Sequence, residues 1–199
     1  MISDNIWMIQ IPDNEVSQYY VNRVLPSWNN HKVNMFDAYT PDHMPDYLNF
    51  GKFWNFRDFS QSEKAGFYSH LELWKKCFEE DEPIAIIEHD VMCIKDDMPI
   101  IGNFFAFCDF DSEQSHENYA TRFRGHPYWG TGEMFCPVTH AYYMTPDVAE
   151  TMYYNLIDTK LNKFVDDYMW EFMGKDTNKI VNYTTPLYDK EVGATMIHE

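Results

Sequence analysis

Apolar positions along the chain fall into blocks that alternate between extended and helical spacing. Ile6-Trp7-Met8-Ile9-Gln10-Ile11 reads as a first strand, closed by Pro12-Asp13-Asn14. Glu15 to Trp28 reads as a helix, with Tyr19, Val21, Val24 and Leu25 available for its buried side. Lys32 to Tyr39 alternates as a second strand and stops at Thr40-Pro41, and residues 41–59 show no clear period. Ser60 or Ser62 can cap the next helix, with Glu63 in its first turn. Phe67, Leu71, Trp74 and Phe78 then form one continuous helical stripe. The acidic run Glu79-Glu80-Asp81-Glu82 ends that helix before Ile84-Ala85-Ile86-Ile87, four apolar residues in a row. Such a run predicts a strand buried on both faces. Phe104 to Cys108 reads as another strand, Pro146 to Ile157 and Val165 to Met173 as helices, and Ile180 to Tyr183 as a last strand. This alternation predicts an α/β fold: one domain over residues 1–199, with a mostly parallel sheet flanked by helices.

Composition narrows the class. The chain has 199 residues, of which 45% are hydrophobic and 18% aromatic, enough for a sizeable globular core. No apolar run approaches the roughly 20 residues that span a bilayer. Met1 to Asn5 lacks the basic start and apolar core of a signal peptide, so the expected location is cytoplasmic. Cysteines 77, 93, 108 and 136 contain no Cys-x-x-Cys pair and are expected to be reduced. The 32 acids against 15 bases give a net charge of −17, which repels phosphate backbones and argues against a nucleic-acid partner. The compact basic element is Arg122-Phe123-Arg124, which either offsets a local anion or is simply solvated.

Candidate chemistry sits where the 84–87 strand ends. Glu88-His89-Asp90 brings two carboxylates to the edge where open α/β sheets place their ligands. Paired carboxylates there suit a hard divalent cation, and such a cation suits a diphosphate. An ordinary polar turn after a core strand is the competing reading.

Four ordered segments together resemble glycosyltransferase family 25. The helix Glu63-Lys64-Ala65-Gly66-Phe67-Tyr68-Ser69-His70-Leu71-Glu72-Leu73-Trp74 is similar to the family's Glu-x-Gly-Cys-x-x-Ser-His-x-x-x-Trp, with Ala65-Gly66 in place of Gly-Cys. Glu88-His89-Asp90 resembles its Glu-Asp-Asp strand end, differing at the middle position. Thr139 to Ala149 is similar to its small-aromatic strand entering a helix at Thr-Pro, and Phe164-Val165-Asp166-Asp167 to its Pro-Val-Asp segment. Pro186-Leu187 and Ala194 to Ile197 also have counterparts.

The resemblance implies a GT-A, Rossmann-like fold and an inverting transfer from a nucleotide-sugar donor, UDP-hexose first, to a hydroxyl acceptor such as a glycan or lipooligosaccharide. It implies Mn²⁺ or Mg²⁺, with Asp90 as first choice of ligand, Glu88 on the metal or the donor ribose, and His198 completing the shell. Asp166 is the implied general base, with Asp167 its rival; an acidic first turn of a helix is the bland reading of that pair. Glu63, Ser69 and His70 are candidates for the donor site, while Arg122 and Arg124 are candidates for offsetting diphosphate charge. His89 is either a packed residue facing away from Glu88 or a softer ligand. Tyr142 is expected to pack beneath the acceptor. The competing functions are a non-catalytic nucleotide-sugar or carbohydrate-binding module, a phage-type transferase acting on modified DNA bases, and a metal-dependent phosphohydrolase.

Overall fold

The computed structural model describes residue 2, residues 5–53, 57–108, 138–174 and 179–187, and residue 192. Asp109, Asp111, Arg122, Arg124, Cys136 and His198 lie outside the described residues.

The chain begins with β1 (Ile6–Gln10), α1 (Glu15–Val24) and a 3-10 turn over Leu25–Trp28, then β2 (Val33–Asp37). Asn14 caps α1, its side chain accepting from the Ser17 amide at 2.8 Å. Two short strands, β3 (Lys52–Phe53) and β4 (Arg57–Asp58), pair antiparallel within the stretch expected to be irregular. Next come α2 (Gln61–Glu79), β5 (Ile84–Glu88), β6 (Val91–Cys93) and β7 (Phe104–Cys108). A 3-10 turn over Val138–His140 leads into β8 (Ala141–Met144), α3 (Pro146–Ile157), α4 (Val165–Phe172) and β9 (Ile180–Pro186).

Seven strands form one sheet in the order β2-β1-β5-β8-β7-β9-β6. The sheet is mixed, which corrects the expectation of a mostly parallel one. β1 pairs parallel with β2 and β5, and β7 with β9. β8 runs antiparallel to both β5 and β7, and β6 antiparallel to β9. The apolar run at 84–87 reports that both faces are covered; it carries no information about the direction of the neighbouring strand.

Side-chain parity sorts the strands into two cores. Ile84, Ile86, Phe104, Ala106, Tyr142 and Met144 face the layer holding α2, α3 and α4. Ala85, Ile87, Phe105, Phe107, Ala141 and Tyr143 face the layer holding α1 and the Leu25–Trp28 turn. Successive residues alternate faces because the strand period is two. Phe67, Leu71 and Trp74 of the α2 stripe are fully buried in the first core, with Phe78 packed against its margin.

Ser60, rather than Ser62, caps α2. Its hydroxyl accepts from the Glu63 amide, and the Glu63 carboxylate accepts from the Ser60 amide at 2.7 Å. Arg57 on β4 grips the same carboxylate through two nitrogens, at 2.8 and 2.5 Å. Ser60→Ala should therefore lower stability by about 1 kcal/mol, the usual cost of losing a helix N-cap. Urea denaturation of the two proteins measures this, and an unchanged midpoint would mean that Arg57 and Glu63 hold the helix start by themselves.

Candidate active site

Three parallel strands end at one edge of the sheet, and a cleft opens there. It is partly open to solvent. Ile9 of β1 and Ile11 just past it, Ala38 to Pro41 after β2, Glu88 at the end of β5 and His89 after it line one side. Ser62, Ala65, Gly66, Ser69 and His70 of α2 line the other. The cleft is thus walled by strand ends and by the first half of a long helix, the usual place for a ligand in an open α/β sheet.

Glu88 has the same parity as Ile84 and Ile86, so its side chain rises on the α2 face. There two imidazoles flank it, His70 Nε2 at 3.9 Å from one oxygen and His140 Nε2 at 3.8 Å from the other. His140 arrives because β8 is antiparallel to β5: Ala141 pairs with Ile87, so the residue before Ala141 falls beside the residue after Ile87. Asp90 comes in from the turn that follows the strand. One ligand atom each from Glu88, Asp90 and His140 lies within 4.8 Å of the other two. Asp90 is 6% exposed, and its Oδ1 is buried with no hydrogen-bond partner among the described residues.

The turn itself is pinned from outside. The Leu187 amide donates to the Asp90 carbonyl at 2.6 Å, and the Trp28 indole donates to the Val91 carbonyl at 2.9 Å. His89 is buried, with its ring 6.2 Å from that of Tyr20 on α1, opposite to the Glu88 side.

Donor and acceptor accounting assigns the state of His70. The Trp74 indole N–H donates to the Tyr142 hydroxyl at 2.8 Å, so that oxygen is already an acceptor. The hydroxyl's own proton then goes to His70 Nδ1, 2.9 Å away. This leaves the proton of a neutral His70 on Nε2, facing Glu88. Burial, reinforced by the nearby His140, pushes the His70 pKa down to about 3, so the ring is neutral at physiological pH. Tyr142 is wholly buried, and burial drives its hydroxyl well above its ordinary pKa.

The two aspartates at the start of α4 separate in role. Asp166 Oδ1 accepts from the Thr139 amide at 2.9 Å and from the Thr139 hydroxyl at 2.6 Å. It feels the charges of both His140 and Glu88, and burial raises its pKa above the carboxylate norm. Asp167 instead turns back to the helix start, accepting from the Phe164 amide at 3.2 Å. Burial first, and the adjacent Asp166 second, raise its pKa to about 7.

The structure therefore brings Ser69, His70 and Glu88 to the cleft wall, sets Asp90 beside Glu88, and places Asp166 within electrostatic reach of Glu88 and His140. Ser69 serves there as a strut: its hydroxyl accepts from the Tyr39 amide and donates to the Ala65 carbonyl, both at 2.9 Å. Glu63 is not brought to the cleft. Its carboxylate is taken up by Arg57 and the helix cap, which favours the capping reading over a donor-site role. Arg122, Arg124 and His198 fall outside the described residues. His140 joins Glu88 and Asp90, and sequence reasoning did not single it out. Its signal was its place just before a strand that runs back along β5.

No helix among the described residues is long and apolar enough to cross a membrane. No curated protein matches the chain. The family model described as glycosyltransferase family 25 (LPS biosynthesis protein) matches residues 15–124. That span runs from α1 through β7 and includes Ser69, His70 and Glu88 of the cleft wall and Asp90 beside Glu88. With more than half of its length matched by that model, the chain belongs to glycosyltransferase family 25 and is a glycosyltransferase.

Proposed function

We propose that this glycosyltransferase is a metal-dependent inverting enzyme of GT-A type that takes a sugar from a nucleotide-diphosphate donor, a UDP-hexose first, to an acceptor hydroxyl. The observation that carries this reading is the convergence of Glu88, Asp90 and His140 beside a cleft at the ends of parallel strands. Two carboxylates with one imidazole fit Mn²⁺ and, less closely, Mg²⁺. The buried Asp90 Oδ1, which accepts no hydrogen bond among the described residues, supports that fit. Glu88, Asp90 and His140 would hold the cation, which when bound offsets the charge of the departing diphosphate as a Lewis acid.

The chain's own groups supply the remainder. The cleft between α2 and the ends of β1 and β2 receives the nucleotide, with Ser69 fixing the distance between helix and strand. Neutral His70 turns its Nε2 edge toward Glu88 at 3.9 Å and adds no charge beside that carboxylate. Asp166 is the general base. It takes the proton of the acceptor hydroxyl as the oxygen attacks the anomeric carbon, and the bond from that carbon to the diphosphate breaks in the same displacement. Burial raises its pKa, which makes it a stronger base than an exposed carboxylate. The Thr139 pair fixes one oxygen and so aims the carboxylate. Asp167, committed to the start of α4, is assigned a structural role. The family's printed description, an LPS biosynthesis protein, supports a saccharide acceptor.

Asp90→Asn should remove Mn²⁺-dependent donor binding while leaving the fold intact. A thermal-shift panel of nucleotide sugars with Mn²⁺ reads this directly, since ligands that bind the native state raise its stability. Retained binding would take the metal away from Asp90.

Asp166→Asn should spare donor binding and lower transfer about 10²- to 10⁴-fold, the range for losing a general base. Full transfer by that variant would move the base elsewhere.

Asp167 generates a stability prediction. Its pKa is raised on folding, so the folded state holds the proton more tightly than the unfolded chain does. Stability from this group is therefore complete below about pH 4, the unfolded carboxylate range, and is lost as pH rises to about 7. Asp167→Asn should flatten the stability profile across that window in urea melts at stepped pH. A profile as steep as the wild type would assign the slope to another group.

A further inference from the structure

The far end of β6 holds a second cluster, independent of the cleft. His31 follows the Leu25–Trp28 turn, its amide donating to the Trp28 carbonyl at 2.9 Å and its ring set edgewise against that indole at 5.8 Å. Cys93 closes β6, with its amide bound to the Ser27 hydroxyl at 2.9 Å. Asp96 lies three residues on, one carboxylate oxygen accepting from the Asn30 side chain at 2.8 Å. Ligand atoms of His31, Cys93 and Asp96 all lie within 4.8 Å of one another.

Two details set this apart from ordinary packing. His31 Nε2 is shut away from solvent and has no hydrogen-bond partner among the described residues. The Cys93 sulfur is a free thiol that donates a weak S–H···O bond to the Lys95 carbonyl at 3.4 Å. A buried imidazole nitrogen without a partner among the described residues is costly as polar packing, and together with a neighbouring thiol it is well suited as a ligand.

We propose that His31, Cys93 and Asp96 form a second divalent-metal site, chemically suited to Zn²⁺, which clips the connection between α1 and β2 onto β6. One nitrogen, one sulfur and one oxygen donor make a borderline-soft set, unlike the carboxylate-dominated cluster at Glu88 and Asp90. Three protein ligands leave a position for water, and exposed Asp96 opens the cluster to solvent. Asn30 orients the Asp96 carboxylate from behind, as outer partners of metal ligands do. Burial keeps the Cys93 thiol protonated in the metal-free protein. As the sulfur–metal bond forms, the S–H bond breaks and its proton passes to solvent.

Metal-stripped full-length protein titrated with Co²⁺, the spectroscopic stand-in for Zn²⁺, tests this. The wild type should develop thiolate-to-cobalt charge-transfer absorption in the near ultraviolet. Asp90→Asn should keep that absorption, because the proposed donor-site cation is separate. Cys93→Ser and His31→Gln should each lose it, and Zn²⁺ should raise the melting temperature of Asp90→Asn but not of the double variant Asp90→Asn with His31→Gln. Absence of the band in the wild type, or its survival in Cys93→Ser, would overturn the site. Should Cys93→Ser fail to fold, His31→Gln decides alone, and an unchanged band there overturns it equally.

Discussion

The register between β5 and β8 is the constraint on which the site depends. Ile86 stands opposite Tyr142 and Ile87 opposite Ala141, which sets every residue of both strands on a defined face. A slip of one residue would exchange the faces, because side chains alternate with period two. Tyr142 would then leave His70 and Trp74, and His140 would leave Glu88. The penalty against that slip is large and comes from the apolar neighbours. Ile84, Ile86, Tyr142 and Met144 fill one core while Ala85, Ile87, Ala141 and Tyr143 fill the other, all of them buried. Large and small residues would have to trade places on both faces at once, and close-packed cores do not tolerate that. The polar arrangement is thus held by apolar packing that takes no part in the chemistry.

Within this frame, a strongly acidic protein gathers further carboxylates at one point. Glu88, Asp90 and Asp166 approach one another inside a molecule whose net charge is −17. Hydrogen-bond donors and nearby imidazoles temper the repulsion. Thr139 gives two hydrogen bonds to Asp166, and two imidazoles stand against Glu88. Hydrogen bonds to a charged carboxylate stabilise it more than those to a neutral acceptor. A tightly held cation would relieve what remains, which is why the proposed metal and the buried Asp90 oxygen belong to one account. His70 contributes by staying neutral, which burial enforces, while Tyr142 and Trp74 settle which nitrogen carries its proton.

Much of this was legible along the chain, for identifiable reasons. The α2 stripe, the Ser60–Glu63 cap and the apolar run into Glu88 are local patterns, and local patterns survive folding. The start of α3 at Pro146 and of α4 at Val165 were readable in the same way. What escaped was non-local. β6 is three residues long and follows the acidic triplet, too short to show alternation. The direction of β8 has no signature in Ala141-Tyr142-Tyr143-Met144, yet it is this direction that brings His140 to Asp90. Had β8 run parallel to β5, His140 would lie at the opposite edge of the sheet. Glu63 was ambiguous because a capping carboxylate and a ligand-binding one look alike until Arg57 is seen to grip it.

The amide of Leu187 holds the carbonyl of Asp90, and β9 supplies the strand beside β6. These partners lie far apart along the polypeptide, so the contact is of high sequence separation and is made late. A ribosome delivering the chain from its amino end would have β1, α1, β2, α2 and β5 in hand before β9 emerges. Until that strand threads between β7 and β6, the acidic turn has no anchor on this side. Nascent or truncated chains would therefore lack a settled Asp90 turn, and maturation of the catalyst would coincide with completion of its sheet.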